Sequence, residues 1–129
     1  MINNSPIGIF DSGIGGLSVM SDIHSLLPNE SLSYIADSLY APYGCMTTKS
    51  VIERSVTVTD FLINYQNCKI IVVACNTATA NAIRELRRLY DVPIVGMEPA
   101  VKPASIATKL GRVGVLATSG TLESAKFSS

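Results

Sequence analysis

The sequence predicts an α/β fold in which an open parallel sheet is flanked by helices, and three observations carry that expectation. Short apolar runs alternate with segments of helical period from one end of the chain to the other. Residues 70–74 are apolar at every position and β-branched at four of the five, as in a strand buried on both faces. The connections are short, which suits strand–helix–strand crossovers packed on one sheet.

Taken in order, residues 7–10 read as the first strand, and Asp11-Ser12-Gly13-Ile14-Gly15-Gly16 as the turn that follows it. Leu17, Met20, Ile23 and Leu27 recur at spacings of three and four, which predicts a helix over 17–27 stopped by Pro28-Asn29. Residues 32–36 predict a second strand ending at Asp37, and Pro42-Tyr43-Gly44 marks a loop. Val51, Ser55, Val58 and Leu62 share one face of a helix over 51–64, which leads into the strand over 69–74. Ala78, Ala82, Leu86 and Leu89 form the inward face of a helix over 77–90. A fourth strand is expected over 92–95, a helix over 101–110 and a fifth strand over 113–117. Residues 119–129 read as the opening turns of another helix.

Composition narrows the class. The 129 residues are enough for one domain, or for one lobe with a piece of another. With 47% hydrophobic and 16% charged residues the chain is globular in character. Ten basic residues balance ten acidic ones, so no net field draws nucleic acid or an anionic membrane, and neither is an expected partner. The longest unbroken apolar stretch, 70–75, is far short of the ~20 residues that cross a bilayer. The first residues lack a basic segment followed by a long apolar one, so no signal peptide and no secretion are expected. Three cysteines, an odd number, point to reduced thiols in a cytoplasmic protein rather than to a disulfide framework. With no Cys-x-x-Cys and no Cys/His cluster, no metal site is expected.

In open α/β sheets ligands sit beyond the carboxyl ends of the strands. The polar segments there are Asp11-Ser12-Gly13, Asp37 with Tyr43-Gly44, Cys75-Asn76-Thr77, and Thr118-Ser119-Gly120-Thr121. The glycine turn allows close approach of an anionic group to a helix N-terminus, but fits neither the dinucleotide pattern nor the P-loop. A carboxylate would suit it as well as a phosphate. Alternatively, Asp11 or Ser12 simply caps the helix. Cys75 follows a buried strand and precedes Asn76-Thr77, either of which can cap the next helix. A thiol there meets the positive end of a helix dipole, which favours the thiolate as nucleophile or base. The alternative is an inert, small buried residue. Cys68 is expected at the opposite edge, Cys45 near the rim, and His24 as a partly buried packing residue. Arg84, Glu85, Arg87 and Arg88 form a solvated helix face.

Gly8-Ile9-Phe10-Asp11-Ser12-Gly13-Ile14-Gly15-Gly16-Leu17, Pro42-Tyr43-Gly44 and Val72-Val73-Ala74-Cys75-Asn76-Thr77-Ala78 together closely resemble the glutamate racemases of the aspartate/glutamate racemase superfamily. Pro93-Ile94-Val95-Gly96 and the stretch 114–121 continue the likeness over nearly the whole chain. The resemblance implies two α/β lobes, of which 1–97 would be the N-terminal lobe and 98–129 the incomplete start of the second. The chain is thus truncated relative to the two-lobed architecture. It implies cofactor-independent interconversion of L- and D-glutamate by two cysteines, supplying D-glutamate for peptidoglycan, and a homodimer is compatible with it. By motif, Cys75 would be the first lobe's proton donor and acceptor, with Asp11 tuning or positioning it. Asp11, Ser12, Tyr43, Gly44, Asn76 and Thr77 would hold the substrate, joined by Thr118 and Thr121. The opposite acid of the resembling enzymes lies in a Cys-Thr-His motif, which these 129 residues do not contain. Two other readings accompany this one: a non-catalytic fragment serving as a carboxylate-binding or interaction module, and a racemase of aspartate or a related amino acid.

Overall fold

The computed structural model describes residues 4–122 and sets four parallel strands in one sheet, ordered β2-β1-β3-β4. The central strands are β1 (Ile7–Asp11) and β3 (Ile70–Val73); β2 (Leu32–Ala36) and β4 (Ile94–Gly96) form the edges. Central strands have no solvent side, so they carry the most continuous apolar sequence. Ile9, Phe10, Ile71 and Val73 are accordingly sealed from water. The chain leaves β1 toward one edge for β2, then crosses back to β3 on the other side. The topological switch point therefore lies between β1 and β3.

Side chains alternate across the pleat. Ile7, Ile9 and Val72 pack toward α1 (Leu17–Leu26), while Phe10, Ile71 and Val73 pack toward α2 (Thr48–Asn64) and α3 (Asn76–Leu89). Thr47 caps α2 by accepting the Ser50 N–H at 3.2 Å. Val51, Ser55, Val58, Thr59 and Leu62 of α2 are buried, and Ala78, Ala82, Ile83 and Leu86 belong to the buried face of α3. Leu89, expected on that face, is exposed. The stripe continues instead through Tyr90, whose hydroxyl donates to the Val56 carbonyl at 3.3 Å.

Other expectations change as well. No residue of α1 is buried. Val19, Met20 and Ile23 lean on the sheet while Leu17 and Leu27 stay exposed, because one helix at the side of a face can seal only a narrow strip. His24, expected to be partly buried, is exposed in the last turn of α1. Residues 113–117 form no strand: an apolar run becomes one only by pairing, and the described sheet is made of β2, β1, β3 and β4, none of which pairs with it. Leu116 there is fully exposed.

The preceding helix, α4 (Val101–Ala107), ends early. Thr108 Oγ1 accepts the Leu110 N–H and donates to the Arg112 carbonyl, local bonds that compete with helix continuation. A single turn, α5 (Ser119–Leu122), follows, and the rest of the helix expected to 129 lies outside the described residues. No described helix is long and apolar enough to cross a membrane.

Candidate active site

Four chain segments meet beyond the carboxyl ends of the strands, around the switch point. Ser12, Tyr43, Gly44, Cys75, Asn76, Thr77, Thr118 and Thr121 all line one cleft of about 260 Å³, together with Pro42, Pro99 and residues 115–117. Asp11 lies on the other side of Cys75. It lines a second hollow of about 410 Å³ with Gly15, Ser18, Asn76 and Glu98, and Cys75 borders both spaces. Asp11, Ser12, Tyr43, Gly44, Asn76, Thr77, Thr118 and Thr121 thus all line a space that Cys75 also borders, whereas Cys68 and His24 do not.

Cys75 closes β3 and is itself the N-cap of α3. Its sulfur accepts the Ala78 N–H at 3.4 Å, and its thiol donates to Ser12 Oγ at 3.7 Å. Asn76 and Thr77, the caps expected from sequence, are thereby released for other contacts. The Asn76 side chain stands at the exposed rim. Thr77 Oγ1 lies 3.0 Å from Thr118 Oγ1 and 3.3 Å from Thr121 Oγ1, and these last two are 3.1 Å apart. This triangle of hydroxyls seats α5 on the sheet end. Cys75 is 6% exposed, so water is largely excluded from the sulfur while it still faces the cleft.

Asp11 has a structural task as well. Its Oδ2 accepts the Gly16 N–H at 3.0 Å and holds the turn before α1. Gly16 is required there, because a Cβ would press on Ala74, on Asp11 and on the Tyr34 hydroxyl. Tyr34 donates to the Gly13 carbonyl at 2.9 Å; burial, then the nearby charges of Asp11 and Cys75, raise its phenol above the ordinary value.

The Tyr43 ring points into the protein rather than into the cleft. It is 1% exposed, and its hydroxyl donates to Asp37 Oδ2 at 2.6 Å. Burial first, then that bond and the Asp37 charge, push the phenol far above its usual range. At Gly44 a Cβ would overlap the Thr118 side chain, so the loop and α5 touch only because this residue has none. Asp37 is bound further by Arg54, whose Nε and Nη2 donate at 3.0 and 2.9 Å. Burial works to raise the Asp37 carboxyl, but the hydrogen bonds from Arg54 and Tyr43, with the Arg54 charge, outweigh it and hold it below the ordinary carboxylate range.

Arg54 was not legible as part of this region: the sequence pattern marks only Val51, Ser55, Val58 and Leu62 on its helix. Of the other thiols, Cys45 is exposed just beyond Gly44, and Cys68 is buried at the far end of the sheet against Gly8. Burial raises the Cys68 thiol. Arg88 pairs with Glu85 in solvent as expected, whereas Arg87 turns back to donate to the Ile94 carbonyl at 3.1 and 2.9 Å. Among the described residues no group of three or more His, Cys, Asp or Glu side chains could hold a metal ion.

Known proteins share this sequence and architecture. The chain is 59% identical over 126 residues to the glutamate racemase of Ectopseudomonas mendocina, which covers 97% of this chain and 48% of that protein. It is 57% identical over 125 residues to the glutamate racemase of Pseudomonas syringae pv. tomato, covering 96% and 45% respectively. The solved structure of Escherichia coli glutamate racemase, in complex with L-glutamate and the activator UDP-MurNAc-ala, superposes with a TM-score of 0.89 at 40% identity, over 95% of this chain and 47% of that one. The Francisella tularensis glutamate racemase in complex with D-glutamate gives 0.81 at 34%, over 98% and 48%. The chain therefore spans about half the length of the relatives it matches. The family model for Asp/Glu/Hydantoin racemase matches residues 7–129, nearly the whole chain, and with the shared architecture this settles its kinship: the chain belongs to the Asp/Glu/Hydantoin racemase family.

Proposed function

We propose that this chain forms the first catalytic half of a glutamate racemase. In this reading residues 1–97 are the first lobe and 98–129 open the second. Cys75 exchanges the α-proton of glutamate on one face of the α-carbon, with no cofactor. A second acid would serve the opposite face, and the Cys-Thr-His motif that carries it in the resembling enzymes does not occur in these 129 residues. The product D-glutamate serves peptidoglycan synthesis, which would place the protein in the cytoplasm.

One observation carries the reading: the largely buried sulfur of Cys75 caps a helix at the switch point and borders a cleft that Ser12, Asn76, Thr77, Thr118 and Thr121 also line. An α-proton is weakly acidic, so its removal needs an aligned base out of bulk water and donors where charge develops on the carboxylate. Asp11 stands beyond the sulfur from the cleft and would orient the thiol. Ser12, Asn76, Thr77 and Thr118, with the backbone at Tyr43 and Gly44, would hold the substrate's charged groups, and Thr121 would brace Thr77 and Thr118.

The test is proton exchange of glutamate in deuterated water, followed by NMR. This chain is expected to wash the α-proton out of one enantiomer without inverting it, and Cys75→Ser is expected to abolish the exchange while the fold persists. Exchange that survives Cys75→Ser would remove this residue from the chemistry. Glutamate binding with no exchange would leave a carboxylate-binding module, and faster exchange of aspartate would move the substrate to the shorter acid.

A further inference from the structure

We propose that Arg54 is a positioning residue for substrate binding, acting through Asp37 and Tyr43 on the backbone of Gly44; the proposal rests on the racemase reading above. Arg54 does not border the cleft. Its guanidinium grips the connection between β2 and α2 at two points: it forks onto Asp37 at 3.0 and 2.9 Å, and its central carbon lies 3.9 Å from the centroid of the Tyr40 ring. Asp37 passes the constraint on by accepting the Tyr43 hydroxyl at 2.6 Å. The Tyr43 ring is thereby anchored in the core, and the next residue, Gly44, is set against Thr118 at the cleft wall.

Two physical consequences follow. A planar fork fixes Asp37 in orientation as well as in place, which a single ammonium cannot do. The same contact neutralises a carboxylate buried close behind a surface that is to receive an anionic amino acid. Both effects act on bound substrate whether or not the proton is moving. They belong to binding, while Cys75 acts in the chemical step.

The experiment uses the whole chain and glutamate. Arg54→Met is expected to weaken glutamate binding about tenfold, the loss of a charged hydrogen-bond network, while the exchange rate at saturation stays within about twofold. Arg54→Lys should recover part of the affinity. Tyr43→Phe, which keeps the ring but cuts the chain at its last link, should weaken binding similarly, and combining it with Arg54→Met should add little. In the ligand-free protein the order parameter of the Gly44 amide should fall from about 0.85 toward 0.6 in Arg54→Met. That readout needs no glutamate, so it decides the positioning role even if the wild-type chain neither binds nor exchanges glutamate, an outcome that would defeat only the racemase reading. An unchanged Gly44 amide, unchanged affinity in a folded variant, or an equal loss in the saturated rate would overturn the proposal. If Arg54→Met does not fold, Tyr43→Phe carries the same measurements.

Discussion

On one face of the sheet, α2 and α3 bury Phe10, Ile71 and Val73 in a continuous core that also takes in Tyr43 and Cys75. On the other, α1 is the only described helix that shelters Ile7, Ile9 and Val72, and it contributes no buried residue of its own. The difference divides the site. Cys75 and Tyr43 are anchored from the dense side, by a helix cap and a buried hydroxyl bond, whereas Asp11 belongs to a turn held on the thin side. Leu17, Leu27 and Val95 remain exposed around that thin cover, an apolar surface that α1 is too narrow to seal. More of the buried apolar surface thus lies behind the thiol than on the opposite face.

Substitutions on the two faces can break or sharpen this contrast, with urea midpoints at constant slope as the measure. The largest effect should come from Leu86→Ala on the dense face, a fully buried position where truncation costs about 2–5 kcal/mol. Tyr43→Phe should follow at about 1–3 kcal/mol, because it removes a buried hydrogen bond to a carboxylate. The same network sets a pH dependence. The folded Asp37 carboxyl lies below its unfolded value, so its contribution is present above about pH 4 and is lost as pH falls toward the folded value. Asp37→Asn should therefore flatten the acid limb of the stability profile. An acid limb as steep as the wild type's would show that other carboxylates dominate. Met20→Ala on the thin face should cost about 1 kcal/mol or less, since only part of the side chain leaves water on folding. Leu26→Ser, at an 80% exposed position, should stay within about 0.5 kcal/mol. A Met20→Ala loss matching that of Leu86→Ala would erase the contrast between the faces.

Much of the candidate site was readable before the structure because the fold puts it at strand ends. Asp11-Ser12 and Cys75-Asn76-Thr77 directly follow apolar runs, and parallel strand direction alone brings such segments to one edge. The likeness to known racemases picked out Thr118 and Thr121, which the residues by themselves marked only as another polar strand end; the expected fifth strand leading to them is absent. Arg54 left no trace, because its importance lies in an Asp37 seventeen residues earlier in the chain and in the inward turn of Tyr43. The Cys75 cap was likewise misassigned to its neighbours: Asn76 and Thr77 are far commoner caps, and a sulfur takes the role here only because the end of β3 aims it at the Ala78 amide.

By itself the sequence determined the alternation of strands and helices and the strand ends where polar chemistry collects, since period and turn chemistry are written in near neighbours. Only the tertiary structure decided which face each helix covers, that Tyr43 turns its hydroxyl inward, that Arg54 reaches the loop before α2, and that residues 113–117 find no sheet to join. Those outcomes depend on contacts between residues far apart in the chain, where burial and pairing edges are shared out among competitors that no local window contains.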